Sequence, residues 1–337
     1  MNKPLVSIII IDYKQENPYL LECLNAIGKQ TYKNYEIILL TDYKNLLQFP
    51  KLRKKHYGKP VSPAKKRNDG VKISQGEIIS FIDDDAHPHK NWLKKIARHF
   101  NESNITAVGG PGTNPQNIPF MEAASGWFSA SPLGAGIYTY RFLPTKQQFV
   151  DDYPSMNLSV LKKDFLKVGG YDPNYYPGED TKLCLDLISQ TNKKIIYDPQ
   201  ASVFHHRRPL WISHLKQNGN FGLHRGFFAR VLPQTSFRPI YFGPTLLALG
   251  LPFIFLPLVN PTLILIQNLG QVLLIFYLSA IILNSAWIGI KSKSISHALI
   301  SIPAVFITHY WYGLKFLQGF FLTRKLGWAP KHRPSIS

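Results

Sequence analysis

Short apolar runs alternate with helix-like segments over roughly the first 200 residues of this chain. Residues 5–11, 35–40 and 77–82 are rich in β-branched and aliphatic side chains, which is typical of strands buried on both faces. Residues 18–30 carry apolar side chains at helical spacing, and a Ser-Pro pair predicts another helix from Pro63. This alternation predicts an α/β fold, a mostly parallel sheet with helices on both faces. Further elements predicted are helices at 92–100 and 180–189 and strands at 106–108 and 194–197.

Aspartates stand where the three predicted strands end. Asp12 follows the first strand, Asp42 the second, and Asp83, Asp84 and Asp85 the third. Ligands of such sheets bind beyond the carboxyl ends of the strands. Adjacent like charges repel unless a cation neutralises them, and carboxylate oxygens suit Mg²⁺ or Mn²⁺, which can bridge to a diphosphate. A solvated acidic turn explains the triplet equally well when it is considered alone.

Two further groups of charged residues stand at predicted helix starts. Glu179 and Asp180 begin a helix, where a carboxylate can serve as a general base or simply cap the helix. Lys65 and Arg67 lie in the first turns of another helix, where positive charge is unfavourable unless an anionic ligand binds. Ordinary solvated bases are the alternative for this pair.

A His-His-Arg-Arg run follows a strand-like segment at 201–204. The imidazole of His205 or His206 could bind the metal, and the guanidinium groups of Arg207 and Arg208 could bind phosphate or the acceptor. A basic patch at a membrane surface explains the arginines equally well. Residues 211–230, apolar with interspersed bases, predict amphipathic interface helices.

The last part of the chain is basic and apolar. The formal net charge is +19, and no Asp or Glu follows Asp198, whereas thirteen Lys and Arg do. Because these bases are scattered through apolar sequence, they favour a membrane partner over nucleic acid. Three apolar runs, 241–259, 262–283 and 298–322, approach the length of a span. We expect two spans, a third run that either spans or re-enters, and a basic tail.

The remaining features concern location and mobility. Cys23 and Cys184 match no metal-ligand spacing and predict reduced core thiols. The N-terminus lacks a signal-peptide pattern, so we expect the first part in the cytoplasm. Residues 109–145, rich in Gly, Pro and Ser, predict a long, mobile loop.

Taken together, the motifs resemble the family 2 glycosyltransferases of GT-A fold over roughly residues 4–230. The resemblance implies a nucleotide-sugar donor, by default a uridine diphosphate sugar, a divalent metal (Mg²⁺ or Mn²⁺), and inversion by single displacement. Two departures stand out: Asp12-Tyr13-Lys14 replaces a Thr-Tyr-Asn-like loop, and residues 217–225 lack the Gln-x-x-Arg-Trp motif of processive synthases. The resemblance rests on segments 6–12, 35–42, 63–68, 76–85, 157–159, 169–172 and 178–180, in this order.

The resemblance also assigns roles to single positions. Asp180 would be the catalytic base with Glu179 beside it, and Asp85, with His205, would hold the metal. The nucleotide-sugar contacts would be Asp12, Asp42, Lys65, Arg67, Asp83 and Asp84.

These roles predict a membrane-bound hexosyltransferase that acts on a lipid-linked or cell-surface glycan in polysaccharide or cell-wall biosynthesis. The predicted organisation is a catalytic domain at 1–204, an interfacial segment at 205–238 and a transmembrane region at 239–337, multi-pass in the cytoplasmic membrane. The alternatives are a processive polysaccharide synthase and a non-catalytic, membrane-tethered protein that binds nucleotide or glycan.

Overall fold

The computed structural model describes residues 3–255 and 260–329. Its strands include all those predicted, together with short ones that the sequence pattern does not reveal. In chain order they are β1 (Val6–Asp12), β2 (Tyr35–Thr41), β3 (Leu52–His56), β4 (Ile78–Asp83), β5 (Ala86–Pro88), β6 (Ile105–Gly109), β7 (Gly112–Thr113), β8 (Gln148–Val150), β9 (Asn157–Leu161), β10 (Lys194–Tyr197) and β11 (Val203–His205).

The helices predicted at 18–30, from Pro63, at 92–100 and at 180–189 are present, whereas the sequence pattern does not predict those at 120–135 and 162–167. In chain order the helices are α1 (Pro18–Gly28), α2 (Pro63–Ile73), α3 (Trp92–His99), α4 (Phe120–Ala130), α5 (Pro132–Ala135), α6 (Lys162–Lys167), α7 (Glu179–Thr191), α8 (Ile212–Val231), α9 (Pro233–Ser236), α10 (Pro239–Ile254), α11 (Pro261–Ser292) and α12 (Ile295–Leu317), with 3₁₀ turns at Gly136–Arg141 and Pro173–Tyr175 and a π turn at Gln318–Leu322.

Eight strands form one mixed sheet in the order β3-β2-β1-β4-β9-β6-β10-β8. β1 pairs in parallel with both β2 and β4, and β9 runs antiparallel between β4 and β6. Because β1, β2 and β4 run in one direction, their carboxyl ends share one edge, to which they bring Asp12, Asp42 and Asp83. A second, three-stranded sheet has the order β5-β11-β7. The predicted α/β sheet is confirmed, as a mixed sheet.

Side chains of β1 alternate between two helical layers. Ile8 and Ile10 belong to the core that also contains Leu24 of α1 and Trp92 of α3. Ile9 points the other way, where a Cβ on Gly70 of α2 would come within 2.9 Å of it. Helices therefore cover both faces of the sheet, as the period-2 alternation of a doubly buried strand requires.

The chain folds into two compact units. The sheets lie in the first unit, within Met1–Pro115 and Tyr140–His206, and the second unit comprises Gln116–Thr139 and Arg207–Arg324. The prediction of a mobile loop at 109–145 is wrong for much of that segment, because 120–135 form α4 and α5 in the second unit. Small residues explain the error: Ala124 of α4 is buried against Leu210 and Ala304, so Gly, Ala and Ser here permit close helix packing.

Residues 211–230 form one helix, α8, whose glycines meet other backbone. A Cβ on Gly226 would lie 2.0 Å from the Phe316 carbonyl oxygen of α12, and one on Gly222 would lie 2.5 Å from that of Tyr312. α8 also buries polar residues, among them His214 and Arg225. The segment is therefore one helix where the sequence suggested several, and glycines allow it to pack closely; its location at a membrane interface stays a prediction.

Among the described residues, α11 is the one helix long and apolar enough to cross a membrane, with 32 residues and a mean hydropathy of 2.0. The first predicted run forms α10, which has sixteen residues and contains Pro244 and Pro252, while residues 256–259 of that run lie outside the described part. α12, from the third run, contains His309 and Lys315 and falls short of this hydropathy. The expectation of two to three spans is thus reduced to one candidate; residues 330–337 of the basic tail also lie outside the described part.

Candidate active site

Asn17 joins two of the aspartates at the carboxyl edge of the sheet. Its side-chain amide donates hydrogen bonds to Asp12 Oδ1 at 3.1 Å and to Asp84 Oδ2 at 2.5 Å. The same residue is the N-cap of α1, where its Oδ1 accepts from the Tyr19 backbone N–H. The ends of β1 and β4 are therefore held together by the residue that starts the first helix.

Lys66 neutralises the end of β2. Its ammonium group lies 2.9 Å from Asp42 Oδ1, and both side chains are fully buried. It also donates to the Asp12 backbone carbonyl at 2.9 Å and lies over the Tyr13 ring at 3.9 Å. Burial lowers the pKa of Lys66, opposed by the hydrogen bond to Asp42. This buried ion pair fixes the loops after β1 and β2 against α2.

Arg67 connects the end of β4 with the start of α7. One end of its guanidinium donates to Asp83 Oδ1 at 3.0 Å and the other to Glu179 Oε1 at 3.5 Å. The Arg67 side chain is only 9% exposed, and it lies over the Tyr171 ring at 5.5 Å. Burial opposes the charged form, but Asp83, the nearby tyrosines and Glu179 together outweigh it, and the pKa of Arg67 is raised. Two carboxylate groups distant in sequence thereby meet at one cation.

Glu179, which contacts Arg67, is followed directly by Asp180 at the start of α7. Glu179 is buried, and burial, aided by the charge of Asp180 and opposed by Arg67, raises its pKa to about 7. Asp180 is partly exposed, and its Oδ1 accepts the Thr181 backbone N–H at 2.9 Å. Asp180 is thus the more exposed of the two carboxylates.

Asp83, Asp85 and His205 form a candidate divalent-metal site. One ligand atom from each lies within 4.8 Å of the others, and His205 Nε2 is 3.2 Å from Asp85 Oδ1. Burial and the negative charge of Asp85 and Asp12 raise the pKa of Asp84 well above its usual range, which shows how much negative charge is concentrated here. Two carboxylates and one imidazole fit Mn²⁺ or Mg²⁺, and a cation would relieve this repulsion.

The other predicted site residues lie elsewhere. Lys65 is 57% exposed and pairs with Asp69 one helical turn along α2. The His206 side chain contacts Glu22 at 3.0 Å and does not belong to the group of ligand atoms formed by Asp83, Asp85 and His205. Arg207 and Arg208 begin the second stretch of the second unit, where the Arg207 backbone N–H donates to Glu122.

Sequence reasoning missed two features of this arrangement, the role of Asn17 and the pairing of Lys66 with Asp42. Asn17 precedes Pro18, a pattern that identifies a helix N-cap but not its second contact with Asp84. Lys66 stands between the two predicted ligands Lys65 and Arg67, and its complete burial follows from the helical period only once one knows which face of α2 meets the sheet.

Residues 7–163 match the model of Glycosyl transferase family 2. A glucosyl-dolichyl phosphate glucuronosyltransferase of Haloferax volcanii is 24% identical over 59% of this chain and 68% of its own length. A pre-mycofactocin glycosyltransferase of Mycobacterium tuberculosis is 29% identical over 47% of this chain and 33% of its own length. The chain thus spans about two thirds of the first relative and one third of the second.

A solved structure supports the fold over nearly the whole chain. The mannosyltransferase PcManGT from Pyrobaculum calidifontis, in complex with GDP-Man and Mn²⁺, has a TM-score of 0.55 at 14% identity, covering 95% of this chain and 88% of that one. The matched segment contains β1, β2, β4 and their aspartates. Residues 7–163 are thus similar to glycosyltransferase family 2, and the solved structure shows that the chain shares its fold.

Proposed function

We propose that this protein is a metal-dependent, inverting glycosyltransferase that moves a hexose from a nucleotide-sugar to a lipid-linked or cell-surface glycan. The observation that carries the proposal is the double contact of Arg67 with Asp83 and Glu179. It brings the start of α7, which bears Asp180, to the strand end that bears Asp85. A catalytic base and a diphosphate site must share one bound sugar, and this contact supports that arrangement.

The reacting groups follow from the exposure of the two α7 carboxylates. The oxygen of the acceptor hydroxyl forms a bond to the anomeric carbon, while Asp180, the more exposed carboxylate, accepts the proton of that hydroxyl. The bond from that carbon to the donor phosphate breaks, and the nucleoside diphosphate leaves with the electron pair. Glu179, held by Arg67, positions α7. Attack opposite the leaving group inverts the anomeric centre.

The charge of the leaving group needs compensation. Asp83, Asp85 and His205 would hold a Mg²⁺ or Mn²⁺ ion, which offsets the negative charge of a departing diphosphate. Asp84, which is partly exposed, would contact the nucleoside, whereas Asp12 and Asp42, buried at the same sheet edge, would fix the loops that surround it. Uridine is the first nucleoside to test in the donor. Guanosine is the second, because the structural neighbour was solved with GDP-Man.

The membrane part of the proposal rests on the second unit. α11 is long and apolar enough to span, and residues 199–337 contain thirteen bases and no acid, which suits anionic lipid or a lipid phosphate. The proposed catalytic domain, 1–204 by sequence, is narrowed to 1–115 and 140–204 on the cytoplasmic side, because 116–139 fold with the second unit. We keep 205–238 as the interfacial segment and 239–337 as the membrane region, in which α11 is the one candidate span among the described residues. The Haloferax relative, named for a dolichyl phosphate glycan, makes a polyprenyl-phosphate-linked acceptor the first to test.

The experiment incubates membranes that contain the full-length protein with a panel of labelled nucleotide-sugars and Mn²⁺, followed by lipid extraction. We expect label in a lipid or glycan fraction, abolished by chelation and by Asp85→Asn. Asp186→Asn, a change on the far part of α7, is the matched control and should retain transfer. Transfer that persists undiminished in Asp85→Asn would overturn the metal role, and no label from any donor would overturn the activity. Long polymeric product would indicate a processive synthase instead.

A further inference from the structure

Three metal-ligating side chains cluster on the side of β11 opposite the proposed active site. Glu22 Oε1 lies 3.4 Å from His87 Nδ1, and Glu22 Oε2 lies 3.0 Å from His206 Nε2. Ligand atoms of all three fall within 4.8 Å of one another. The three residues come from three elements: α1, β5 and the residue after β11.

The alternation of strand side chains separates this cluster from the Asp83–Asp85 cluster. β5 and β11 pair antiparallel, with His87 opposite Phe204 and Ala86 opposite His205, and the His206 backbone N–H donates to the Asp85 carbonyl, extending the ladder. Successive side chains point to opposite faces of a sheet. His205 therefore lies on the face of Ala86, and His206 on the face of His87. The contacts agree: His205 lies 3.2 Å from Asp85, whereas His206 and His87 both contact Glu22.

The separations allow a transition-metal ion to bind between the carboxylate and the two imidazoles. Two ligand atoms about 2.1 Å from such an ion lie about 3.4 Å apart; His87 Nδ1 is 3.4 Å from Glu22 Oε1, and His206 Nε2 is 3.0 Å from Glu22 Oε2. Both rings are held by aromatic neighbours: Tyr19 stacks on His206 at 4.1 Å and Phe204 on His87 at 5.0 Å. Preset rings reduce the ordering that metal binding requires.

The chemistry of the ligand set indicates which ion it would bind. Two imidazoles and one carboxylate suit Zn²⁺ and its neighbours in the first transition row, whereas Mg²⁺ and Mn²⁺ prefer oxygen-rich sites. Glu22 is 45% exposed, and a cavity of about 480 Å³ opens beside Glu22 and His87. Solvent can therefore supply a fourth ligand, as in zinc sites with three protein ligands.

We propose that Glu22, His87 and His206 form a second metal site, selective for Zn²⁺-class ions and distinct from the site for the catalytic cation. A metal there joins α1 to β5, which directly follows Asp85, and to the end of β11, which carries His205. It thereby holds the β5–β11 pair in the geometry that the active site needs. Occupancy by Zn²⁺ would then stabilise the first unit without contacting the nucleotide-sugar.

The test uses full-length protein in detergent, stripped of metal, with Co²⁺ as a coloured probe and no nucleotide-sugar present. We expect a visible absorption band from nitrogen-ligated Co²⁺, displaced by Zn²⁺ but not by Mg²⁺, and a rise in Tm on adding Zn²⁺. Glu22→Gln and His87→Gln should each weaken Co²⁺ binding by about tenfold or more and remove the Tm rise. His89→Gln, an exposed histidine in the same segment, is the matched control and should bind as the wild type does.

Asp85→Asn separates the two sites. If the proposal holds, this variant keeps the Co²⁺ band and the Zn²⁺-dependent Tm rise even when transfer is lost. A band that Asp85→Asn removes and His87→Gln leaves would place the metal at the active site and overturn the proposal, as would the absence of any band. Because the Co²⁺ absorption and the Zn²⁺-dependent Tm need no sugar transfer, their outcome does not depend on whether the proposed activity is correct.

Discussion

The carboxyl edge of the first unit and the α8–α12 pair of the second are built on opposite principles. At the sheet edge, several carboxylates lie together, and buried Lys66 and Arg67 neutralise part of their charge. In the second unit, residues 116–139 and 207–324 contain a single acidic residue, Glu122. There, glycines bring helix backbones into contact: Gly226 of α8 meets Phe316, and Gly319 meets Leu223.

The first region is organised by electrostatic interactions, and the second by the close steric packing of helices. Carboxylates crowded at a sheet edge cost stability, and structures retain such arrangements at sites that bind cations or perform proton transfer. Glycine stripes add no charge and let helices approach closely, which is how helices associate where water does not drive them together. A mutation should therefore change activity, ion pairing or pH dependence in the first region and thermal stability alone in the second.

The largest expected effect is on catalysis. Asp180→Asn removes the proposed base and should lower kcat by about 10²- to 10⁴-fold while leaving Tm close to that of the wild type, because the side chain is partly exposed. Steady-state transfer and a thermal melt measure the two quantities. Asp186→Asn on the same helix should retain kcat. An Asp180→Asn enzyme with unchanged kcat would assign the base elsewhere and leave the sheet edge as a binding site.

The next effect concerns the buried ion pair. Lys66→Met leaves Asp42 charged and buried, which should cost about 3–5 kcal/mol of unfolding free energy. Lys65→Met removes the neighbouring ammonium, which is 57% exposed, and should cost no more than about 1 kcal/mol. Denaturant titration of both variants measures the contrast. Equal losses would show that burial does not distinguish these two lysines, and recovery in the double variant Lys66→Met/Asp42→Leu would confirm that the orphaned charge causes the loss.

The sequence predicts the central strands well because continuous apolar runs have few alternatives. β1, β2 and β4 agree with prediction to within about one residue at each end, and their aspartates fall at the shared edge as expected. β3 is not predictable in this way: it is an edge strand with exposed Arg53 and Lys54, and its charged side chains read as a solvated segment.

Contacts between residues that are distant in the chain could not be predicted from the sequence. The partners of Arg67 are 16 and 112 residues away along the chain, and nothing local indicates that Asp83 and Glu179 share one guanidinium. The error over α4 and α8 has a related cause. Glycine and other small residues are typical both of loops and of closely packed helices, and only the neighbouring backbone distinguishes the two uses. The catalytic roles stay predictions until the variants are measured.

A pH-dependent effect of intermediate size follows from Glu179. Its folded-state pKa, about 7, lies above the unfolded value, so below pH 4.5 the carboxyl is protonated in both states and costs nothing. As pH rises towards 7 the unfolded state ionises first, and the folded state loses up to ~3 kcal/mol of relative stability. Glu179→Gln should remove this loss. Unfolding free energies from pH 4.5 to 8 measure it, with the exposed Glu102→Gln as control; parallel pH profiles for wild type and Glu179→Gln would contradict it.

The smallest effect tests the second region with two identical changes. Gly226→Ala puts a Cβ 2.0 Å from the Phe316 carbonyl oxygen, whereas Gly250→Ala in α10 meets nothing within 4 Å. Helix propensity favours alanine at both positions by about 0.5–1 kcal/mol, but the overlap at Gly226 forces α8 and α12 apart and should cost about 1–3 kcal/mol. Thermal melts in detergent should therefore show a lower Tm for Gly226→Ala and an equal or higher Tm for Gly250→Ala. An equal rise in Tm for both variants would mean that α8 does not approach α12 through its glycines. The second unit would then not differ from the first by glycine-mediated helix packing.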